Sequence, residues 1–219
     1  MTHFRGVILD VDGTLVDTND AHAKSWVEAF AEHGYTVPFE KVRQLIGKGG
    51  DKVLPETIGV PADSEEGKEI SERRSEIFKE RYLPSVQAFP CAQELLDHMR
   101  SRGLKLSVAS SAKPDELRAL LQKVGAADLI EDKSSSKDAK NSKPDSDIMR
   151  VTLEKNGLPA NEVVMLGDTP YDIESARKVG VDTIALRSGG WQDHDLAGAI
   201  AIYTDTADLL AHNDTSPLA

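Results

Sequence analysis

The sequence predicts an α/β fold: a doubly wound parallel sheet core with an inserted, all-helical cap domain. Three observations carry this. Short apolar runs that stop at carboxylates or hydroxyls (residues 6–10, 104–110 and 162–168) alternate with stretches of helical spacing. Between Asp17 and about Pro84 the buried-strand pattern disappears and only helical periodicity remains. At 219 residues, 39% hydrophobic and 29% charged, the chain has room for one good core and a smaller second unit. On this reading residues 1–16 and 85–219 form the core and 17–84 the cap, with hinges near 16–18 and 83–86.

The first element is Gly-Val-Ile-Leu followed by Asp10-Val-Asp12-Gly13-Thr14. Strand alternation sends the Asp10 and Asp12 side chains the same way, past the carboxyl end of the strand, where open α/β sheets bind ligands. Two anions side by side repel unless a cation or a proton answers them, and an all-oxygen donor set suits Mg²⁺. A calcium loop of the EF-hand kind is excluded, because its third acidic ligand and closing Glu are missing at the required spacings.

In the insert, His22, Trp26, Val27 and Phe30 fall at helical spacing before a stop at Gly34. Residues 39–46 form a shorter helix, and 65–82 a long polar one with Ile70, Ile77 and Phe78 on its apolar side. Gly47-Lys48-Gly49-Gly50 reads as a flexible, basic loop. Trp26 is expected in the cap core.

The α/β alternation then resumes. Cys91 follows Pro90 at a helix start and is expected to pack. A strand over 106–109 leads to Ser110 and Ser111, and Pro114-Asp115-Glu116 suits the first turn of the next helix. Residues 132–142 are polar and read as an exposed loop. Lys143, ahead of Pro144, stands before a helix over 148–156. A strand over 163–166 ends at Gly167-Asp168, with Asp172 one turn into a helix that runs to Gly180. The tail from about Asn213 is expected to fray.

A net charge of −11 argues against nucleic-acid or anionic-membrane partners. The single cysteine excludes an internal disulfide and suits a reducing compartment. No apolar stretch approaches the length of a membrane span, and the N-terminus enters a strand at once without a signal peptide, so a cytoplasmic location is expected.

Four strand ends thus carry, in order, two Asp, a Ser, a Lys and an Asp pair. This set resembles the haloacid dehalogenase superfamily of phosphohydrolases over about residues 7–210, with a Rossmann-like core and a helical cap. The resemblance implies a Mg²⁺-dependent phosphomonoester hydrolase acting on a small phosphorylated metabolite. Asp10 would be the nucleophile, forming an aspartyl-phosphate, and Asp12 the general acid and base. Asp10, the Asp12 carbonyl and Asp168 would ligate the metal, with Asp172 binding a metal-bound water or orienting Lys143. Ser110, Lys143 and amides near Gly13 and Ser111 would hold phosphoryl oxygens, and His22 and Lys48 in the cap would contact substrate. Within the capped branch the resemblance extends to phosphoglycolate phosphatase and to β-phosphoglucomutase. Gly and Lys stand where the mutase loop has Arg, and Gly-Asp168-Thr-Pro-Tyr-Asp172 departs from its acidic pair; both favour a phosphatase. A phosphorylatable receiver domain uses a similar Asp, hydroxyl and Lys set, but lacks both an insert of this size and an Asp two after the first. Whether the chain is a monomer or a homodimer is not legible.

Overall fold

The computed structural model describes residues 4–130 and 132–219; residues 1–3, the start of the expected core segment, lie outside them. Its described residues divide into two compact units, one of 4–17 with those of 87–219, and one of 18–86.

The first unit holds a six-stranded parallel sheet in the order β3-β2-β1-β4-β5-β6. Its strands are β1 (Gly6–Leu9), β2 (Lys105–Ala109), β3 (Asp132–Ser134), β4 (Val163–Gly167), β5 (Asp182–Leu186) and β6 (Ala201–Tyr203). β1 is central and lies between β2 and β4, with Leu9 opposite both Val108 and Leu166. Every residue of β1 and β4 is buried, which is why their sequences are unbroken apolar runs rather than alternating ones. The chain winds outward from β1 through β2 to β3, then returns to β4 and winds the other way. The switch point is therefore β1, whose carboxyl end carries Asp10. Two crossings between the units run side by side within the first: Asp17 N–H donates to the Gln87 carbonyl and Phe89 N–H to that of Leu15, each at 2.9 Å.

Among the described residues, five α-helices accompany the sheet. They are α5 (Ala92–Ser101), α6 (Pro114–Val124), α7 (Asp147–Asn156), α8 (Pro170–Arg177) and α9 (Thr206–Ala211). The second unit is all helical, with α1 (Asn19–Glu32), α2 (Phe39–Arg43), α3 (Gly50–Ile58) and α4 (Glu65–Ile77). Its own core gathers Trp26, Phe30, Val42, Leu54, Ile70 and Ile77. Burying such side chains is worth about 1.5–3 kcal/mol each, which accounts for a stable small unit with a highly polar α4. Arg73 joins α4 to Glu32 of α1 at 2.5 Å on the outside.

Four expectations are corrected. Residues 132–142 are not all loop, since Asp132–Ser134 forms the edge strand β3. A three-residue polar edge strand is held by main-chain bonds and leaves no apolar pattern to read. The helix expected over 65–82 stops at Ile77 and continues as a π-helical turn over Phe78–Tyr82. Cys91 is exposed rather than packed, in a left-handed conformation (φ 57°) ahead of α5. The tail does not fray: Leu218 is buried, and Asn213 pairs its side-chain amide with His98 Nε2 at 2.7 Å. No helix among the described residues is long and apolar enough to cross a membrane.

Candidate active site

Asp10 stands one residue past β1, with its N–H bonded to the Leu166 carbonyl of β4 at 2.9 Å. The neighbouring strand ends bring the other groups to it. Asp168 follows β4 directly, and Asp172 lies in the first turn of α8. Their carboxylates and that of Asp10 each place an oxygen within 4.8 Å of the others, and all three residues are buried. The expected closeness of Asp10 and Asp168 is therefore present.

Among the described residues, Lys143 is the cation paired with these acids. Lys143 Nζ lies 2.5 Å from Asp10 Oδ1 and 2.7 Å from Asp172 Oδ1, and the lysine is 1% exposed. Asp172 thus pairs with Lys143, while the two roles expected for it are not decided by this contact. Burial pushes the Asp10 carboxyl well above its ordinary value; the Lys143 ammonium pulls it back, and the Asp172, Asp168 and Asp12 charges add to the rise. Burial works against the Lys143 ammonium, but the Asp10 and Asp172 charges outweigh it and hold the lysine above its usual range. Three buried carboxyl groups gather around one ammonium. Such a site, built from hard oxygen donors at this spacing, suits a divalent cation.

Local sequence explains how each acid is held. Thr14 Oγ1 donates to Asp168 Oδ1 at 2.7 Å and weakly to Asp10 Oδ2 at 3.4 Å, so it ties the two strand ends together. Thr169, not Asp168, caps α8. Its hydroxyl accepts from the Asp172 N–H, and Asp172 Oδ2 accepts from the Thr169 N–H at 3.0 Å, a closed capping box that fixes the carboxylate. Gly167 makes room for that carboxylate, because a Cβ there would lie 2.7 Å from the Asp172 side chain.

Residues of the β5 exit were not foreseen. Ser188 Oγ donates to the Gly13 carbonyl at 2.7 Å, and a Cβ on Gly189 would fall 2.2 Å from Asp168 Oδ2. The only signal was a Ser-Gly-Gly following an apolar run, too common to single out. A Gly189→Ala variant is therefore expected to lose about 1–3 kcal/mol of stability through overpacking. Its apparent Mg²⁺ affinity should fall by about 10–100-fold as Asp168 is displaced, read by titrating the metal-dependent rise in thermal midpoint. An unchanged titration would show that Asp168 does not hold metal.

Other expected residues stand as follows. The Asp12 carboxylate is not in the three-acid cluster. Gly13 has φ 79°, which a residue without Cβ adopts freely, but its N–H donates to the Val16 carbonyl at 2.8 Å. The glycine thus shapes the turn, and its own N–H is engaged within it. Ser110 is buried just past β2, where its Oγ accepts from the Ala112 N–H at 3.1 Å and keeps its own proton to donate. Ser111 Oγ has no hydrogen-bond partner among the described residues. In the helical unit, His22 stacks on Phe78 with ring centroids 4.1 Å apart. Lys48 Nζ lies 2.7 Å from Glu56 Oε2.

The sequence pattern of haloacid dehalogenase-like hydrolases matches residues 7–186. The chain belongs to that family. It is 28% identical to a phosphoglycolate phosphatase of Rhodospirillum rubrum over 94% of this chain and 89% of that one. A hydrolase from Pseudomonas syringae superposes with a TM-score of 0.88 at 27% identity, covering 96% of this chain and 98% of that chain. A putative β-phosphoglucomutase from Bacteroides vulgatus superposes with a TM-score of 0.85 at 25% identity, covering 98% and 89%. These matches replace the receiver-domain alternative with a hydrolase family.

Proposed function

We propose that this phosphatase of the haloacid dehalogenase family hydrolyses a small phosphomonoester through an aspartyl-phosphate on Asp10, with phosphoglycolate the first candidate substrate. The observation that carries the reading is the buried Asp10 carboxylate between Lys143 and two further acids. A phosphate monoester is a dianion, so attack by a carboxylate needs positive charge at the phosphoryl group. Asp10 and Asp168, with the Asp12 carbonyl, would hold Mg²⁺, which would supply that neutralisation when bound.

The chain's own residues do the rest. Asp10 attacks phosphorus, the bond to the ester oxygen breaks, and Asp12 gives its proton to the departing alkoxide. Asp12 then takes a proton from the water that attacks the phosphoaspartate, returning the Asp10 carboxylate and releasing inorganic phosphate. Lys143 and the Ser110 hydroxyl hold phosphoryl oxygens, assisted by the Ser111 segment. The helical unit acts as the cap, where His22 and Lys48 select the substrate's remaining groups.

The 28% identity to a phosphoglycolate phosphatase supports the substrate class, and the loop departures weigh against the mutase alternative. A screen of phosphorylated metabolites tests both, with phosphoglycolate, β-glucose 1-phosphate and p-nitrophenyl phosphate assayed with Mg²⁺ and with EDTA. Phosphate release from phosphoglycolate supports the phosphatase, and formation of glucose 6-phosphate would favour the mutase. Lys48→Ala is expected to lower kcat/KM by about tenfold on a substrate with a second anionic group and much less on p-nitrophenyl phosphate. Equal losses on both would assign Lys48 to the fold through Glu56; no loss on either would leave it a surface lysine.

A further inference from the structure

Lys143 sits on a segment without regular structure between β3 and α7, yet its ammonium must be delivered to one point between two carboxylates. The face of α8 meets that segment three times. Asp172, Ser175 and Lys178 follow at intervals of three along α8 and its C-terminal cap, which keeps neighbours on one side of the helix. They engage three consecutive residues. Asp172 Oδ1 holds the Lys143 ammonium at 2.7 Å, Lys178 Nζ donates to the Pro144 carbonyl at 2.8 Å, and Ser175 Oγ donates to the Asp145 carbonyl at 2.8 Å.

We propose that Ser175, seconded by Lys178, is a positioning residue for Lys143. The helix that brings Asp172 into the site also clamps the main chain at Pro144 and Asp145, so that the ammonium stays aimed at Asp10. The proposal rests on the reading of Lys143 as a partner of the nucleophile and the phosphoryl group. Neither clamp residue touches the reacting atoms. Ser175 is 0% exposed, so water does not readily replace its bond, and it carries the larger share. Lys178 is 39% exposed in its side chain and divides its charge with Glu174 at 2.9 Å, so it carries the smaller.

The test measures kcat and KM on p-nitrophenyl phosphate with Mg²⁺, together with the crystal structure of the Ser175→Ala variant. Ser175→Ala and Ser175→Cys, which both lose the strong donor although cysteine keeps the volume, are expected to lower kcat about tenfold with KM within about twofold. In the Ser175→Ala structure Lys143 Nζ should retreat beyond about 3.5 Å from Asp10 or Asp172. Lys178→Met should lower kcat by about two- to threefold, with Lys178→Arg restoring it. A Ser175→Cys variant with wild-type kcat would show that the site needs volume and not a donor, and would overturn the proposal. So would a Ser175→Ala protein whose kcat and Lys143 position are unchanged. If the Ser175 variants do not fold, the exposed Lys178 pair decides: an unchanged Lys178→Met kcat overturns the clamp. If the wild type shows no Mg²⁺-dependent phosphatase activity, the functional reading fails, and the Lys143 position in Ser175→Ala judges the clamp by itself.

Discussion

An Asp10→Asn variant loses turnover by at least about 10⁴-fold on every substrate the wild type accepts, because the amide cannot form the phosphoenzyme. The fold survives. In EDTA at pH 8 its thermal midpoint is expected at or above that of the wild type, since one of three clustered carboxylates is gone and Lys143 keeps Asp172. The pH dependence has a definite sign. Asp10 ionises near 3.8 in an unfolded chain and higher when buried among Asp172 and Asp168. Between those two values the folded protein holds a proton that the unfolded chain has released. Metal-free stability therefore falls as pH rises through that interval and stays reduced above it. The variant has no such proton and shows a flatter profile. Urea titrations of both proteins across the acid range check this, and wild-type turnover by Asp10→Asn would sink the nucleophile assignment.

Lys143→Met is expected to be worse for the protein as a whole. Methionine offers a buried side chain of similar length without charge, leaving Asp10, Asp168 and Asp172 without the Lys143 ammonium. Losing one partner of a buried ion pair costs about 3–5 kcal/mol, a large share of the stability of a domain this size. The loss should shrink at acid pH, where the Asp10 carboxyl takes up a proton, and should shrink again when Mg²⁺ supplies the missing charge. Turnover should fall by at least about 10³-fold even in saturating Mg²⁺, since the phosphoryl oxygens lose a fixed cation. Denaturation at two pH values with and without Mg²⁺ separates the terms. A variant as stable as the wild type in EDTA at neutral pH would mean that Asp10 is protonated in the resting protein and that the ion pair contributes little.

The first experiment bears on a group that was legible in the chain, and the reason is geometric. Buried parallel strands are mostly apolar, so a polar residue where the apolar run stops marks the strand's carboxyl end, and Asp10, Ser110 and Asp168 each stand in that place. The helical insert was equally plain, because Trp26, Phe30, Ile70 and Ile77 repeat at helical spacing and are buried together. Short polar elements were not legible. β3 reads Asp-Lys-Ser and holds by main-chain bonds to β2, while β5 and β6 lie beyond the last motif that drew attention.

What the sequence alone determined, then, is which side chains face the switch point of the sheet, because strand periodicity and turn chemistry act over a few residues. What only the tertiary structure decided is how those side chains are held. Thr14 reaches Asp168 across 154 positions, Ser188 reaches Gly13 across 175, and Lys143 reaches Asp10 across 133. The room that Gly189 leaves for Asp168 and the clamp that Ser175 places on Asp145 are likewise contacts between distant segments. No local pattern encodes such pairs, since their hydrogen bonds exist only after the parallel sheet has brought separate strand ends to one edge.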